Sequence, residues 1–252
     1  MQKKPTKLRI FFTPAEIETV KPSARDIYIV VDVIRATTSL TVITEQGARR
    51  VLVSSSIRRA QEEAQRGRFL LCGERNALPL PDFDYGNSPV QFSQLDLTGR
   101  ELILTTTNGT NAFFACPRES TRLAGCFYNA RAVTAYALAR ALKEKSNISI
   151  VCAAERGYFA LDDAVCAGYL AFELQNQHPT IESHESALAA IALYHAYPPP
   201  RLIDYCNSAR QVIDAGLRPD LDFCMRTSVS TCVPVVTGRD EDTGLLVIER
   251  AA

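Results

Sequence analysis

Short apolar runs alternate with polar, helix-forming stretches through most of the chain. The runs at 8–12, 26–33, 50–53, 68–72, 101–105, 123–127 and 147–153 have the length, branching and polar boundaries of β-strands. The run from Asp26 to Val33 is apolar apart from its two aspartates, as expected of a strand covered on both faces in a parallel sheet. Helical segments are predicted over 35–46, stopped by Gly47, over 56–67, capped by Ser56, and over 110–116 and 129–144. A long helix opens at Asp162 and Asp163, whose carboxylates suit the positive end of a helix. Strands alternating with helices predict an α/β fold of mostly parallel sheets flanked by helices.

From His178 the pattern changes. Segments 182–196 and 201–215 read as helices separated by Pro198 to Pro200, and apolar residues 233–236 and 245–248 add one or two edge strands. The expected organisation is one α/β unit over 1–252. Within it lie similar halves at about 8–96 and 101–177, a helical region at 178–216 and C-terminal strands at 232–249.

Composition narrows the function classes. Hydrophobic residues make up 46% and charged residues 22%, an ordinary globular balance. Lys plus Arg and Asp plus Glu both number 28, so bulk charge offers nothing to nucleic acid or a membrane surface. No run reaches the roughly 18 apolar residues of a membrane span, and the apolar stretch after the basic N-terminus is too short for a signal peptide. The 8 cysteines are scattered without any Cys-x-x-Cys pair, as expected of small buried hydrophobes in a reducing cytoplasm.

Candidate chemistry gathers at four strand ends: Asp32 to Thr38, Gly73-Glu74-Arg75, Thr105 to Thr110, and Glu155-Arg156-Gly157. Ligands of open parallel α/β sheets bind outside the carboxyl ends of strands, so parallel strands bring all four to one rim. The carboxylates Asp32, Glu74, Asp84, Glu155, Asp162 and Asp163 are oxygen donors suited to Mg²⁺, and Arg35, Arg75 and Arg156 suit anions. Asp162 has a sufficient structural reason at its helix start and is set aside. Thr105-Thr106-Thr107-Asn108-Gly109-Thr110 runs from a strand into a helix and reads as an anion cradle, with a Thr-rich hairpin turn as the plain alternative. The long loop 76–89 carries Asp84 and Gly86-Asn87-Ser88, and long ordered loops are disproportionately functional. Cys116 to Arg122 has the Cys-x5-Arg spacing of cysteine phosphatases, but it follows a helix and lacks the loop glycine. Leu71-Cys-Gly-Glu-Arg75 and Val151-Cys-Ala-Ala-Glu-Arg156 echo one another, which either an old duplication or chance between α/β units explains.

Taken together, five stretches resemble the 2-phosphosulfolactate phosphatases. They are Val31-Asp-Val-Ile-Arg-Ala-Thr-Thr38, Cys72-Gly-Glu-Arg75, Phe83-Asp-Tyr-Gly-Asn-Ser-Pro89, Thr105-Thr-Thr-Asn-Gly-Thr110 and Asp163 to Gly168. They lie in order between Ile27 and Leu174. The resemblance implies Mg²⁺-dependent hydrolysis of 2-phosphosulfolactate to sulfolactate and phosphate, a step of coenzyme M biosynthesis. On this basis Asp32, Arg35 and Glu74 are expected to be catalytic. Asp32, Glu74, Asp84, Glu155 and Asp163 are expected to hold Mg²⁺. Arg35 and Thr105 to Thr110 are expected to cradle phosphate, with Thr37, Thr38 and Asn87 beside it and Arg75 or Arg156 on the sulfonate or carboxylate. Attack by water and attack by Asp32 both remain open. One departure is Asn76-Ala-Leu-Pro79, where a glycine-containing loop is expected; residues past Leu174 show no match. The rivals are a phosphatase for another small phosphoacid and a non-catalytic module binding a phosphorylated or sulfonated metabolite. The expected partner is a small anionic phosphorylated substrate, with no nucleic acid, no membrane and a homo-oligomer left open.

Overall fold

The structure, a computed structural model, describes residues 6–252. Its strands are β1 (Lys7–Phe11), β2 (Ile27–Val31), β3 (Arg50–Val53), β4 (Leu70–Arg75), β5 (Leu78–Pro79), β6 (Glu101–Thr105), β7 (Thr121–Gly125), β8 (Ile148–Cys152), β9 (Glu182–Ser183), β10 (Pro234–Arg239) and β11 (Leu246–Arg250). Its helices are α1 (Ala15–Val20), α2 (Ala36–Glu45), α3 (Ile57–Arg66), α4 (Pro89–Phe92), α5 (Gly109–Ala115), α6 (Ala130–Glu144), α7 (Leu161–Gln177), α8 (Glu185–Ala196), α9 (Asn207–Asp214) and α10 (Arg218–Cys224). All strands join one 11-stranded sheet in the order β5-β4-β6-β3-β11-β10-β7-β2-β8-β1-β9. The predicted α/β architecture is present. The continuous apolar run of β2 is buried at every position, between β7 and β8 and under helices, as its pattern requires.

Two parallel groups make up the sheet. β4, β6 and β3 form one, and β7, β2, β8, β1 and β9 form the other. Between them stands the antiparallel hairpin β10–β11, paired antiparallel to β7 on one side and to β3 on the other. The tail expected at an edge therefore fills the centre. β3 and β7 would otherwise each present an open row of backbone N–H and C=O groups, and the hairpin covers both at once.

Three antiparallel pairings separate the groups, so their strands run in opposite senses. Sheet twist of about 20–25° per strand accumulates to roughly 100–125° over the five steps from β6 to β2. That rotation offsets much of the reversal, and the carboxyl ends of both groups line one cavity. The predicted convergence of strand ends thus holds, although the sheet is not uniformly parallel.

The strand order has an internal symmetry. Exchanging β2 with β6, β3 with β7, β4 with β8 and β10 with β11 turns β4-β6-β3-β11-β10-β7-β2-β8 into its own reverse. The unit β2-β3-β4 and the unit β6-β7-β8 are therefore interleaved, each lending its first strand to the middle of the other's pair. Register makes the ends equivalent: Cys152 pairs with Val31 and Cys72 with Leu104. Asp32 then corresponds to Thr105, and Arg35 to Asn108.

The C-terminal third is more divided than its pattern predicts. The segment expected as a helix from residue 182 opens with the two-residue edge strand β9, and 201–215 splits into a 3-10 turn (Arg201–Asp204) and α9. α1, α4 and α10 are additional. All 8 cysteines are free and buried, and burial raises the thiols of Cys72, Cys116 and Cys152 far above the usual range, which leaves them unreactive. Cys116 closes α5 while Arg122 donates to the Phe113 carbonyl, so the Cys-x5-Arg spacing builds no phosphate loop.

Candidate active site

A small cavity of about 60 Å³ lies where the strand ends of the two groups meet. Asp32 and Arg35 after β2, Glu74 at the end of β4, Thr106, Thr107 and Asn108 after β6, and Glu155 and Arg156 after β8 all line it. Asn87 from the long loop completes the wall. Each of the four strand ends singled out in the sequence contributes.

Asp32 is nine-tenths buried, and its Oδ1 accepts from the Ala36 N–H at the first turn of α2. Burial pushes its carboxyl up to about 7, helped by the negative charges of Asp162 and Glu74, while the N–H groups of Ala36 and Gly109 pull the other way. Gly109 is required for this approach. A Cβ there would stand 2.7 Å from both Asp32 Oδ2 and Ala36 Cβ, so any side chain would drive the two turns apart. The Thr37 hydroxyl is inserted into the same turn, donating to the Asp32 carbonyl at 2.9 Å and accepting from its N–H at 3.1 Å.

Glu74 is built into the walls. Its Oε1 accepts from the Thr107 N–H at 2.8 Å and the Thr107 hydroxyl at 2.9 Å, and Oε2 accepts from the Ala77 N–H at 3.0 Å. It ties the turn after β6 to the turn after β4. Asp163 does the same for the other group, accepting from Val33 N–H at 3.0 Å and Ala154 N–H at 3.1 Å. Backbone strain collects in these turns. Asn76, Ala77, Ala154 and Arg156 all have left-handed φ, of 53, 66, 66 and 50°. Such non-glycine residues cluster where surrounding bonds over-determine the chain, often at ligand sites. The missing glycine after Arg75 is explained here: the loop keeps the conformation glycine would favour, fixed by the Glu74–Ala77 bond.

Several predicted residues fall outside the cavity. Asp84 accepts from the Leu71 N–H at 2.7 Å and lines a separate hollow with Gln61 and Phe69. It is removed from the metal set, because the strand before its turn needs that carboxylate. Asp163 is a clasp between backbones and does not reach the cavity. Arg75 folds back onto its neighbours, donating to the Glu74 carbonyl and the Thr105 hydroxyl. The Thr37 and Thr38 hydroxyls bond the turn after β2, and the Thr110 hydroxyl bonds the Thr106 carbonyl. The Thr105 to Thr110 cradle is accordingly smaller than its sequence suggests. Thr107 is engaged by Glu74 and the Gly109 N–H by Asp32, which leaves the Thr106 hydroxyl and the Asn108 side chain at the cavity.

Five further residues contribute that the strand-end pattern does not mark. Asn76 lines the cavity and its Oδ1 accepts from Arg156 at 2.7 Å, a bond between equivalent turns of the two units. Arg156 N–H in turn donates to Asn108 Oδ1 at 3.2 Å. Gln211 and Ser208 of α9 form the far wall; Gln211 donates to Glu155, and Ser208 to Asp162 at 3.2 Å. Asp162, set aside from the sequence, is buried behind Asp32, with its carboxyl pushed up to about 6 mainly by burial and further by Glu155. Asp220 of α10 grips Arg35. Of these only Asp162, at the start of α7, carried a signal, and there the helix-dipole explanation masked it.

Three carboxylates, Asp32, Glu74 and Glu155, face two guanidiniums, and Arg35 is already balanced by Asp220. The cavity is negative, so an anionic ligand needs a cation beside it. Among the described residues no three His, Cys, Asp or Glu side chains close a metal site by themselves. The donor set nonetheless fits Mg²⁺, which is commonly bound by one or two carboxylates and completed by waters and substrate phosphate. Asn87 Oδ1, buried and without a partner among the described residues, is a further acceptor on this wall.

Strand-end carboxylates, guanidiniums and hydroxyls around a small cavity of an α/β sheet define the class: an enzyme fold built for a small anion. Comparison with known proteins names the family. A family model described as 2-phosphosulpholactate phosphatase matches residues 11–239. A probable 2-phosphosulfolactate phosphatase of Thermus thermophilus is 35% identical over 228 residues, covering 90% of this chain and 93% of its own. Proteins of the same name from Deinococcus radiodurans and Carboxydothermus hydrogenoformans are 34 and 30% identical, covering 88 and 96% of this chain and 92 and 97% of their own. The chain belongs to the 2-phosphosulpholactate phosphatase family. The match runs well past Leu174, where the recognisable motifs end, and takes in the helices that supply Ser208, Gln211 and Asp220.

Proposed function

We propose that the chain hydrolyses 2-phosphosulfolactate to sulfolactate and phosphate with Mg²⁺ as cofactor. The observation that carries the reading is the cavity itself, where acidic and basic side chains from four strand ends meet at a size suited to a small anion. Glu74, with one of its roughly four lone-pair positions left, and the more open Glu155 would hold the ion. Bound there, Mg²⁺ supplies positive charge against the phosphoryl oxygens. Arg35, Arg156, the Thr106 hydroxyl and the Asn108 amide hold the phosphate. Asp32 then accepts the proton of the attacking water at its carboxylate as the bond from phosphorus to the ester oxygen breaks and the departing oxygen takes a proton from solvent, since a group titrating near 7 is matched to that task at neutral pH. Water attack is favoured over a phosphoaspartate because both Asp32 oxygens are drawn to backbone N–H groups of α2 and α5.

The test is phosphate release from 2-phosphosulfolactate, 3-phosphoglycerate and phospholactate, each with Mg²⁺ and with EDTA. Release from the first alone, abolished by EDTA, is expected. Preference for another phosphoacid would overturn the substrate, and no metal-dependent release from any would overturn the enzyme reading.

A further inference from the structure

Arg35 is the most deeply buried guanidinium at the cavity, with 3% of its side chain exposed, and it does not stand alone. Its Nη1 donates to Asp220 Oδ2 at 2.6 Å, and its Nη2 donates to the Ala77 carbonyl at 2.6 Å. Asp220 is equally buried, and its other oxygen accepts from the Ser88 hydroxyl at 2.5 Å. Both oxygens of the carboxylate and both terminal nitrogens of the guanidinium are thereby fixed. The partners come from three places: α10, the N-cap of α4 and the left-handed turn at Ala77. Beyond this pair lies a second hollow of about 300 Å³, lined by Pro79, Gly86 and Leu217, so without the clamp the arginine has room to swing away from the phosphate side.

We infer that Asp220 is a positioning residue for the reaction, holding Arg35 with its remaining N–H groups aimed into the cavity; the inference rests on the phosphatase reading above. A buried arginine with a free choice of rotamers would lose entropy each time it met the phosphate. The clamp removes that choice beforehand, and preorganisation of this kind is what makes a charged donor effective in a water-poor site. It also gives the C-terminal helices their part in the chemistry. α10 touches no substrate, but it sets the one guanidinium that the first strand end provides.

A double-mutant cycle tests this, with Asp220→Asn, Arg35→Gln and the two combined. Asparagine keeps the shape and the Ser88 contact while removing the charge. Asp220→Asn should raise KM and lower kcat/KM by about 10-fold, and Arg35→Gln by about 100-fold or more, with the double variant no worse than Arg35→Gln alone. Effects that multiply, or a folded Asp220→Asn with kcat/KM within about twofold of wild type, overturn the inference. Should Asp220→Asn fail to fold, Ser88→Ala loosens the same carboxylate, and an unchanged KM in that variant also overturns it. The cycle is repeated by calorimetry with inorganic phosphate as the probe. Coupling there, with no turnover by wild type, would sink the phosphatase reading and leave the clamp standing; additivity with turnover does the reverse.

Discussion

Asp32→Asn should gain stability relative to wild type as pH rises, while abolishing activity. The folded chain holds this carboxyl at about 7, against an ordinary value of 3.8, chiefly because burial penalises the charge. The unfolded chain therefore releases the proton first. Between about pH 4 and 7 the folded state loses stability as pH rises, and above that the full penalty remains. At about 1.4 kcal/mol per tenfold, raising the value from 3.8 to about 7 amounts to about 4 kcal/mol. Asparagine is uncharged, so it escapes the penalty, but its amide turns one acceptor oxygen into a donor facing an N–H group, which costs about 1–3 kcal/mol at every pH. Part of the charge penalty is shared with Asp162 and Glu74, which makes about 2–4 kcal/mol the expected rise in the variant's relative stability from pH 4 to pH 8. For 252 residues the unfolding entropy is about 0.5 kcal/mol per kelvin, so the Tm difference should move in the variant's favour by about 4–8 °C over that range. Near pH 4, where both states hold the proton, only the amide's cost remains. Differential scanning calorimetry of both proteins in EDTA at pH 4, 6 and 8 reads this directly. A Tm difference independent of pH would refute the assignment of a buried, strained charge. Phosphate release by the variant should fall by about 100-fold or more, the usual contribution of a positioned base.

Two further outcomes separate the cavity from its surroundings. Glu74→Gln turns one acceptor oxygen into a donor facing an N–H group, so Tm should fall along with activity, by about 1–3 kcal/mol in stability; unchanged melting would mean that the clasp between Thr107 and Ala77 is not needed. Asp84→Asn should leave kcat/KM with Mg²⁺ unchanged, because the carboxylate lies in another hollow. A large loss of metal-dependent turnover there would return Asp84 to the metal set.

The alternating pattern of apolar runs was enough to place the parallel strands, since a strand buried on both faces has little freedom in composition. The position of β10 and β11 was not legible, because a short apolar run reads the same at an edge and at the centre of a sheet. Only pairing partners distinguish the two. At the site, the strand ends were legible because charged and hydroxyl residues after an apolar strand have few structural explanations. The division of labour among them was not. Asp84 and Asp163 look like ligands in sequence and serve as hydrogen-bond acceptors for backbone, because a turn's free N–H groups attract the same carboxylates that a cation does. Asp220 and Ser208 lie more than a hundred residues from Asp32, and no local spacing announces such partners.

The interleaving of the two units accounts for the charge of the cavity. Glu74 comes from the unit β2-β3-β4 and bonds Thr107 of the other; Asp163 follows the unit β6-β7-β8 and bonds Val33 of the first. Each clasp crosses between units, and neither unit alone can present both sides of the cavity. A carboxylate suits such a crossing, since it accepts from two backbones at once, and buried N–H groups are costly to leave unpaired. Tying the units together in this way places negative charge beside Asp32, the proposed base. Asp32 carries the consequence in its raised titration, and Asp163 is likewise raised well above the usual carboxylate range by burial and by Asp162. A cation entering the cavity relieves repulsion that the fold itself creates. Its binding should therefore be linked to stability, because a ligand that binds only the folded chain stabilises it in proportion to its affinity.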